Sequence, residues 1–402
     1  MKILIADKFA ESARDMLAAE GHEVVFDPEL KDGALLSALG EHNPKVLVVR
    51  STKVTTDMLN APANLALVVR AGAGVNTIDI ATASKLGIYV SNCPGKNAVA
   101  VAELAIGLML AVDRRIPDNA AQLREGLWNK KEFGKARGIK GCTLGLIGLG
   151  AIGKEVASRA KALEMEVIAW SRSLTEKTAK LLGVGFCSSP LEVARNSDIV
   201  SVHVAVTGDT KGLCNSDFFA AMKDGAFFIN TSRGEVVDEG ALIDAMNKKA
   251  IRAGLDVFCN EPAAGSDQWK SDLSAHSFVV GTHHIGASTE QATTAIGDEA
   301  LRVIQTFAST GEVLNCVNLE DNPPASHIMS VRHANRVGVL AKVLHEVQLA
   351  GINVLNMENQ LFQGDEAATA TIGLDKEPTE AVRKAICAAS DAIISVSVQA
   401  RN

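Results

Sequence analysis

Aromatic residues are scarce in this 402-residue chain: 12 Phe, 3 Trp and 1 Tyr, 4% of the total. So few rings argue against a stacking platform for single-stranded nucleic acid. Positive charge is not in excess either. Forty Lys and Arg against 47 Asp and Glu give a formal net charge of −7, unlike a nucleic-acid coat or a basic membrane-surface protein. The seven cysteines, at 93, 142, 187, 214, 259, 316 and 387, include no Cys-x-x-Cys. An odd, widely spaced set offers neither a disulfide framework nor metal-ligand spacing, and reads as the reduced thiols of a cytoplasmic protein. The most apolar run, Ala98 to Val112, is interrupted by Glu103 and reads as a buried helix, not a membrane span. Met1 to Asp7 turns polar at once, unlike a secretory signal.

What is present is alternation. The length suggests two to three domains. Apolar runs at 2–6, 23–26, 46–50, 65–69 and 88–91 read as strands, with helical patterns at 9–20, 33–41 and 78–86 between them. A second series starts at Thr143, with strands expected at 143–147, 166–170, 199–204, 226–230, 252–258 and 278–281. Strand–helix alternation of this kind predicts parallel sheets covered on both faces, and six strands suit a complete Rossmann sheet. Long helical patterns at 97–115 and 289–309 flank the second series. The later one could return the chain to the first lobe, giving a substrate domain of 1–97 plus 288–318 around a nucleotide domain of 98–287. Asp321-Asn322-Pro323-Pro324 signals a linker. The βαββαβ pattern after it predicts a ferredoxin-like domain over 326–402.

The glycine-rich segment Gly148-Leu-Gly150-Ala151-Ile152-Gly153 follows an expected strand and opens an expected helix. That context fits a dinucleotide loop: a tight turn at Gly148, close approach of a pyrophosphate at Gly150, and close helix packing at Gly153. The helix N-terminus then offers free N–H groups to the phosphates. A carboxylate for the ribose 2′-hydroxyl is expected near position 171, but Ser171-Arg172 stands there. A small residue followed by Arg would admit a 2′-phosphate, which leans toward NADP, while NAD stays usable if Arg172 only stacks or faces solvent.

Three further segments follow strands four to six of that series: Thr231-Ser-Arg233-Gly234, Asp256 to Glu261, and His283-His284-Ile-Gly286. Ligands bind at the carboxyl ends of open α/β sheets. Singly, Arg233 could be a salt-bridge partner, Glu261 a solvated acid and His284 a helix-start residue. Jointly they supply what hydride transfer at a 2-hydroxy acid requires. A guanidinium grips a carboxylate, a histidine exchanges the hydroxyl proton, and an acid beside it fixes its tautomer.

With these motifs the chain closely resembles the D-isomer-specific 2-hydroxyacid dehydrogenase family over essentially its whole length. Arg50-Ser-Thr-Lys53 and Arg70-Ala-Gly72-Ala73-Gly74-Val-Asn76 match its phosphoglycerate branch. The resemblance implies a flavodoxin-like substrate domain beside the Rossmann domain. Arg233 would bind substrate, and Glu261 with His284 would form the acid–base pair. Asp256 would face the nicotinamide carboxamide. Gly148, Gly150, Ala151, Ile152, Gly153, Ser171, Arg172, Val204, Thr231 and Gly286 would line the cofactor, NAD by family default. The substrate would be a small phosphorylated 2-hydroxy or 2-oxo acid, as in oxidation of 3-phospho-D-glycerate. Gly72-Ala73-Gly74 would form a backbone nest for its carboxylate. Arg50 would take its phosphate, with Lys130 reaching across from a neighbouring subunit of a homodimer or homotetramer. Lys130 lies in a basic stretch, Lys130, Lys131, Lys135, Arg137 and Lys140, which otherwise reads as a solvated face. The chain departs from the family pattern at Ser171, at Val204-Ala205, and at His283, where proline is usual. The Ile-Gly-Ala-Ser that follows selects His284 over His283.

The third domain, through Val331-Arg-His333-Ala-Asn335 and Gly351-Ile-Asn353, resembles an ACT domain. Such domains bind amino acids between paired copies, which makes His333, Asn335 and Asn353 candidate contacts for an effector, L-serine by resemblance. A purely structural module is the alternative. Two rival functions stay open on the sequence: a hydroxypyruvate or glyoxylate reductase of the same family, and a dinucleotide-sensing corepressor that keeps the same triad without turnover.

Overall fold

A computed structural model describes residues 1–262, 268–320 and 324–401. The chain divides into two compact units, Met1–Asn318 and Leu319–Asn402. Among the described residues no helix is long and apolar enough to cross a membrane.

The first unit carries two parallel sheets. Strands β1 (Lys2–Ile5), β2 (Glu23–Phe26), β3 (Val46–Val49), β4 (Leu67–Arg70) and β5 (Tyr89–Asn92) form a sheet ordered β2-β1-β3-β4-β5. This is the flavodoxin-like order. The strands β6 (Thr143–Ile147), β7 (Glu166–Trp170), β8 (Gly185–Phe186), β9 (Ile199–Val202), β10 (Phe227–Asn230), β11 (Arg252–Leu255) and β12 (Val279–Gly281) form the other, ordered β12-β11-β10-β9-β6-β7-β8. It is a Rossmann sheet with one strand beyond the six expected. The extra strand, β8, has two residues and follows Gly183 at φ +63, too short to leave a periodic trace in sequence.

Both sheets are apolar because both of their faces are covered. All four residues of β3, β9 and β10 are buried, as parallel strands between helix layers require. The two long helices form where expected, Ala98–Arg114 and Glu290–Thr310. Leu108, Met109 and Val112 of the first pack with Leu144, Leu146 and Ile229 of the Rossmann sheet. Ile296, Ala300 and Ile304 of the second pack with Ile3, Ile5 and Val69 of the first sheet. Gly297 makes that return close, since a Cβ there would lie 3.0 Å from Ala10 Cβ.

Two strands end earlier than the apolar pattern suggests. β9 stops at Val202 and not at 204, and β11 stops at Leu255 and not at 258. Each continuation begins with a polar residue, His203 or Asp256, whose N–H still reaches the neighbouring strand, at the Ile147 and Asn230 carbonyls respectively. Short helices at Thr56–Asn60, Ile116–Arg124 and Lys130–Phe133 add to the elements expected from the sequence. Ser189 and Asp238 cap the helices Pro190–Asn196 and Glu239–Lys249, accepting from the N–H groups of Glu192 and Ala241.

The second unit has strands β13 (His327–Ala334), β14 (Val354–Leu361), β15 (Ala367–Leu374) and β16 (Ile393–Ala400) in an antiparallel sheet ordered β14-β15-β13-β16. With helices Val339–Leu349 and Glu380–Ala388 this is the βαββαβ arrangement. Met329, Val331, Ile372 and Leu374 meet Val343, Val347 and Ile386 in its core. Asp321, Asn322 and Pro323 of the expected linker lie outside the described residues.

Candidate active site

The dinucleotide loop takes the form its glycines allow. Gly148 has φ +100, and a Cβ there would strike the His203 carbonyl oxygen at 2.5 Å. A Cβ on Gly153 would meet the Gly148 carbonyl oxygen at 2.3 Å, so that glycine is fixed by helix–turn packing. Gly150 differs, because nothing lies within 4 Å of where its Cβ would sit. The protein itself does not demand glycine there, whereas a phosphate pressed against the backbone would. Gly150 is the N-cap of helix Ala151–Ala162 and gives it no side-chain cap. The N–H groups of Ala151, Ile152 and Gly153 therefore remain available to an anion.

Ser171 and Arg172 follow β7, and Arg172 is exposed. Val204 packs beside the Gly148 turn. Thr231 is 6% exposed and its Oγ1 has no hydrogen-bond partner. An orphaned buried hydroxyl at a carboxyl strand edge is what a bound polar ligand would satisfy. These residues fit a dinucleotide.

Asp256 is 1% exposed and organises the histidine loop. Its Oδ1 accepts from Thr282 Oγ1 at 2.6 Å and from the Ile285 N–H at 2.8 Å, and its Oδ2 from the Gly286 N–H at 2.9 Å. Its carbonyl takes the His284 N–H at 2.8 Å. A carboxylate has about four acceptor positions, so little of Asp256 is left for a ligand. A Cβ on Gly286 would come within 3.0 Å of Asp256 Oδ2.

His284 adopts a left-handed backbone, φ +53, and its Nδ1 lies 2.6 Å from Glu261 Oε2. The other Glu261 oxygen accepts the Phe258 N–H at 2.7 Å. Burial pushes the Glu261 carboxyl up, but the bonds from His284 and Phe258, with the charge of Arg233, bring it below the usual glutamate value. Glu261 is thus an anion holding one imidazole nitrogen, which leaves Nε2 for chemistry. His283 is exposed, with no such partner.

Arg233 follows β10 and directs Nη1 to the Ser232 carbonyl at 2.6 Å. A Cβ on Gly74 would lie 2.8 Å from its Nη2. Gly72, at φ +157, is packed by the Arg70 guanidinium, which would overlap any Cβ there. The expected nest is reduced, because the Gly72 N–H is already donated to the Arg70 carbonyl at 2.7 Å. Only Ala73 and Gly74 keep N–H groups without a backbone acceptor. Arg50 points to the second inter-lobe connection, with Nη1 3.4 Å from Thr293 Oγ1 and Nη2 3.4 Å from the Ala287 carbonyl.

Arg70 opens the glycine motif of the first sheet, in which the sequence assigns it no role. Burial, then the charges of Arg233 and Arg50, lower its guanidinium to about 10, and its buried Nε is unpartnered. The structure therefore brings Arg50, Arg70 and Arg233 around one glycine loop. The available signal was the Gly72 that its side chain excludes from bearing a Cβ.

Lys130 is exposed at the start of its helix and makes no contact with these residues. Most of the basic stretch is otherwise engaged. Lys135 pairs with Glu132 and Lys140 with Glu164, while Arg137 lies over the Phe227 ring. In the second unit His333 is 2% exposed. Its Nδ1 lies 2.9 Å from the Ala334 carbonyl and its Nε2 3.2 Å from Asn359 Oδ1, so both nitrogens are engaged. Asn335 donates to the Asp365 carbonyl at 2.9 Å. Asn353 precedes β14, which runs in the same direction as β13. It therefore sits at the opposite end of the sheet from Asn335, about 25 Å away at the rise of a strand. One copy does not gather the three.

A glycine-rich βα loop, an acid-held histidine and an arginine thus stand at neighbouring strand ends, the parts that hydride transfer at a hydroxy acid requires. Residues 106–286 match the D-isomer specific 2-hydroxyacid dehydrogenase, NAD binding domain. A hydroxypyruvate reductase of Thermotoga maritima is 39% identical over 305 residues, 75% of this chain and 97% of that protein. A D-3-phosphoglycerate dehydrogenase of Methanocaldococcus jannaschii is 34% identical over 387 residues, 96% of this chain and 70% of that protein. Another of that name, from Archaeoglobus fulgidus, is 40% identical over 329 residues, 81% of this chain. The chain spans about 60% of that relative's length. This chain belongs to the D-isomer specific 2-hydroxyacid dehydrogenases.

Proposed function

We propose that this chain oxidises 3-phospho-D-glycerate at C2 to 3-phosphohydroxypyruvate, the first step of phosphorylated serine synthesis, with NAD or NADP. The observation that carries the choice of substrate is the Arg50–Arg70–Arg233 cluster. Three guanidiniums forced together need anions, and a substrate with a carboxylate and a phosphate supplies two. The relative named phosphoglycerate dehydrogenase that aligns over 96% of the chain extends into the second unit, in keeping with this reading.

The bound dinucleotide supplies the hydride acceptor. Arg233 forks onto the carboxylate and the C2 oxygen and draws charge toward that oxygen. The Ala73 and Gly74 N–H groups bind the other carboxylate oxygen. His284 Nε2 takes the hydroxyl proton as the C2 hydride leaves, and the anionic Glu261 stabilises the imidazolium that results. Asp256 holds the His284 loop. Arg50 and Arg70 face the phosphate, and Lys130 of a second copy completes its site. In this reading 1–97 with 288–318 is the substrate domain, 98–287 the nucleotide domain and 326–402 an ACT-like effector domain. His333, Asn335 and Asn353 would meet L-serine only across two paired copies.

A second reading, reduction of unphosphorylated hydroxypyruvate or glyoxylate, is favoured by one contact. Arg50 already has neutral partners in Thr293 and Ala287. The deciding experiment follows nicotinamide absorbance with phosphohydroxypyruvate, hydroxypyruvate or glyoxylate, each with NADH and NADPH. The proposal expects kcat/KM for phosphohydroxypyruvate to lead by at least about tenfold, the effect of one good charged contact. Equal or better use of hydroxypyruvate would favour the second reading. Comparable rates with NADPH would support the Ser171-Arg172 lean.

A further inference from the structure

The register of the Rossmann sheet lays a row of residues along its carboxyl edge. Ile147 pairs with Trp170 and Val202, Val202 with Asn230, and Asn230 with Leu255. The next residues, Ser171, Gly148, His203, Thr231 and Asp256, therefore stand side by side just past the strand ends. Four of the five are cofactor candidates on other grounds. His203 is the fifth, and its backbone N–H donates to the Ile147 carbonyl at 2.7 Å.

His203 Nε2 lies 2.9 Å from Ser201 Oγ. Its Nδ1 is sealed from solvent and has no partner, and neither has Thr231 Oγ1 beside it in the row. Adjacent orphaned polar atoms are costly unless something satisfies them. Burial pushes the His203 imidazole down to about 4, so it is neutral at physiological pH, with one nitrogen a donor and the other an acceptor. A hydroxyl can answer either, because it donates and accepts.

We infer that His203 Nδ1 and Thr231 Oγ1 form a two-point seat for a ribose hydroxyl of the bound dinucleotide, which makes His203 a positioning residue. The inference rests on the dinucleotide-dependent reading above. It explains why a histidine stands at this edge, and why one of its ring nitrogens has no protein partner while the other is tied to Ser201.

The test uses the full chain and two readouts: NADH and NADPH affinity by fluorescence titration, and the melting temperature of the cofactor-free protein. Thr231→Val keeps shape and removes the hydroxyl. It is expected to weaken dinucleotide binding about tenfold while leaving the cofactor-free melting temperature equal or higher, since an unsatisfied atom is gone. His203→Gln keeps a polar atom near the Nε2 position and loses the Nδ1 one, and is expected to weaken binding similarly. His203→Asn keeps a polar atom near the Nδ1 position and is expected to retain most affinity. A Thr231→Val protein that melts earlier and binds as before would overturn the inference, because the hydroxyl would then serve the fold or a resident water. Equal loss with Gln and Asn would overturn it too. Failure of the unaltered chain to bind either dinucleotide would instead remove the reading underneath.

Discussion

Replacing Glu299 with Gln is expected to destabilise the first unit by about 2 kcal/mol at neutral pH. Glu299 lies in the return helix, 5% exposed. Its carboxylate takes Arg302 Nη2 at 2.6 Å, Asn315 Nδ2 at 2.7 Å and Lys96 Nζ at 3.2 Å. The bond from Arg302 is the largest influence on its pKa, burial opposes it, and the other two bonds add to it, so the carboxyl is held at about 2 instead of 4.5. By linkage that gap corresponds to about 3 kcal/mol. The side chains of Lys96 and Arg302 are 41% and 55% exposed, and solvent screening reduces the figure to about 2 kcal/mol. Because the folded value is depressed, the stabilisation is complete above pH 4.5 and fades as pH falls toward 2. Trp128, Trp170 and Trp269 are the three tryptophans, all in Met1–Asn318, so denaturant unfolding followed by their emission reports on the unit that holds Glu299. The gap between the natural protein and Glu299→Gln should be widest at pH 7 and shrink by about half or more at pH 3. A gap of the same size at both pH values would refute the electrostatic account.

Other outcomes follow from the site. His284→Ala should lower kcat about a thousandfold while His283→Ala retains most of it; equal losses would move the proton-transfer role. Glu261→Gln should cut kcat about a hundredfold, with substrate KM little changed, because in the proposed mechanism Glu261 stabilises an imidazolium that forms only as hydride leaves. Arg70→Met should raise KM for phosphohydroxypyruvate more than for hydroxypyruvate, and parallel changes would deny it a phosphate role. Gly148→Ala should abolish dinucleotide binding in a fluorescence titration, since its Cβ would strike the His203 carbonyl from a backbone at φ +100.

The parts of this fold that repeat at a strand's or helix's own period were legible in sequence. The three-sheet plan, the two crossing helices and the βαββαβ tail all come from apolar runs whose spacing survives without tertiary information. Glu261 and His284 were legible because each follows a strand, so the sheet alone brings them to one edge. Arg70 was not. Its meaning depends on Arg50 and Arg233 arriving beside it from 20 and 163 positions away, and on a glycine that yields space to its guanidinium. His203 looked like one more strand residue because the apolar pattern runs past the end of the ladder at Val202. Asn335 and Asn353 were grouped by resemblance, as contacts shared between paired copies, and within one copy the sheet sets them at opposite ends.

In the proposed mechanism, the left-handed backbone at His284 sets stability against activity at a single residue. A side chain with a Cβ costs roughly 1–2 kcal/mol in that conformation, and Gly or Asn adopts it far more easily. Selection for thermal resistance alone would therefore be expected to replace this histidine first with Gly or Asn, producing a sturdier protein that binds its ligands and no longer moves a proton. A homologue carrying either residue there would be a natural starting point for a dinucleotide sensor, reached from an enzyme by one relaxed torsion angle.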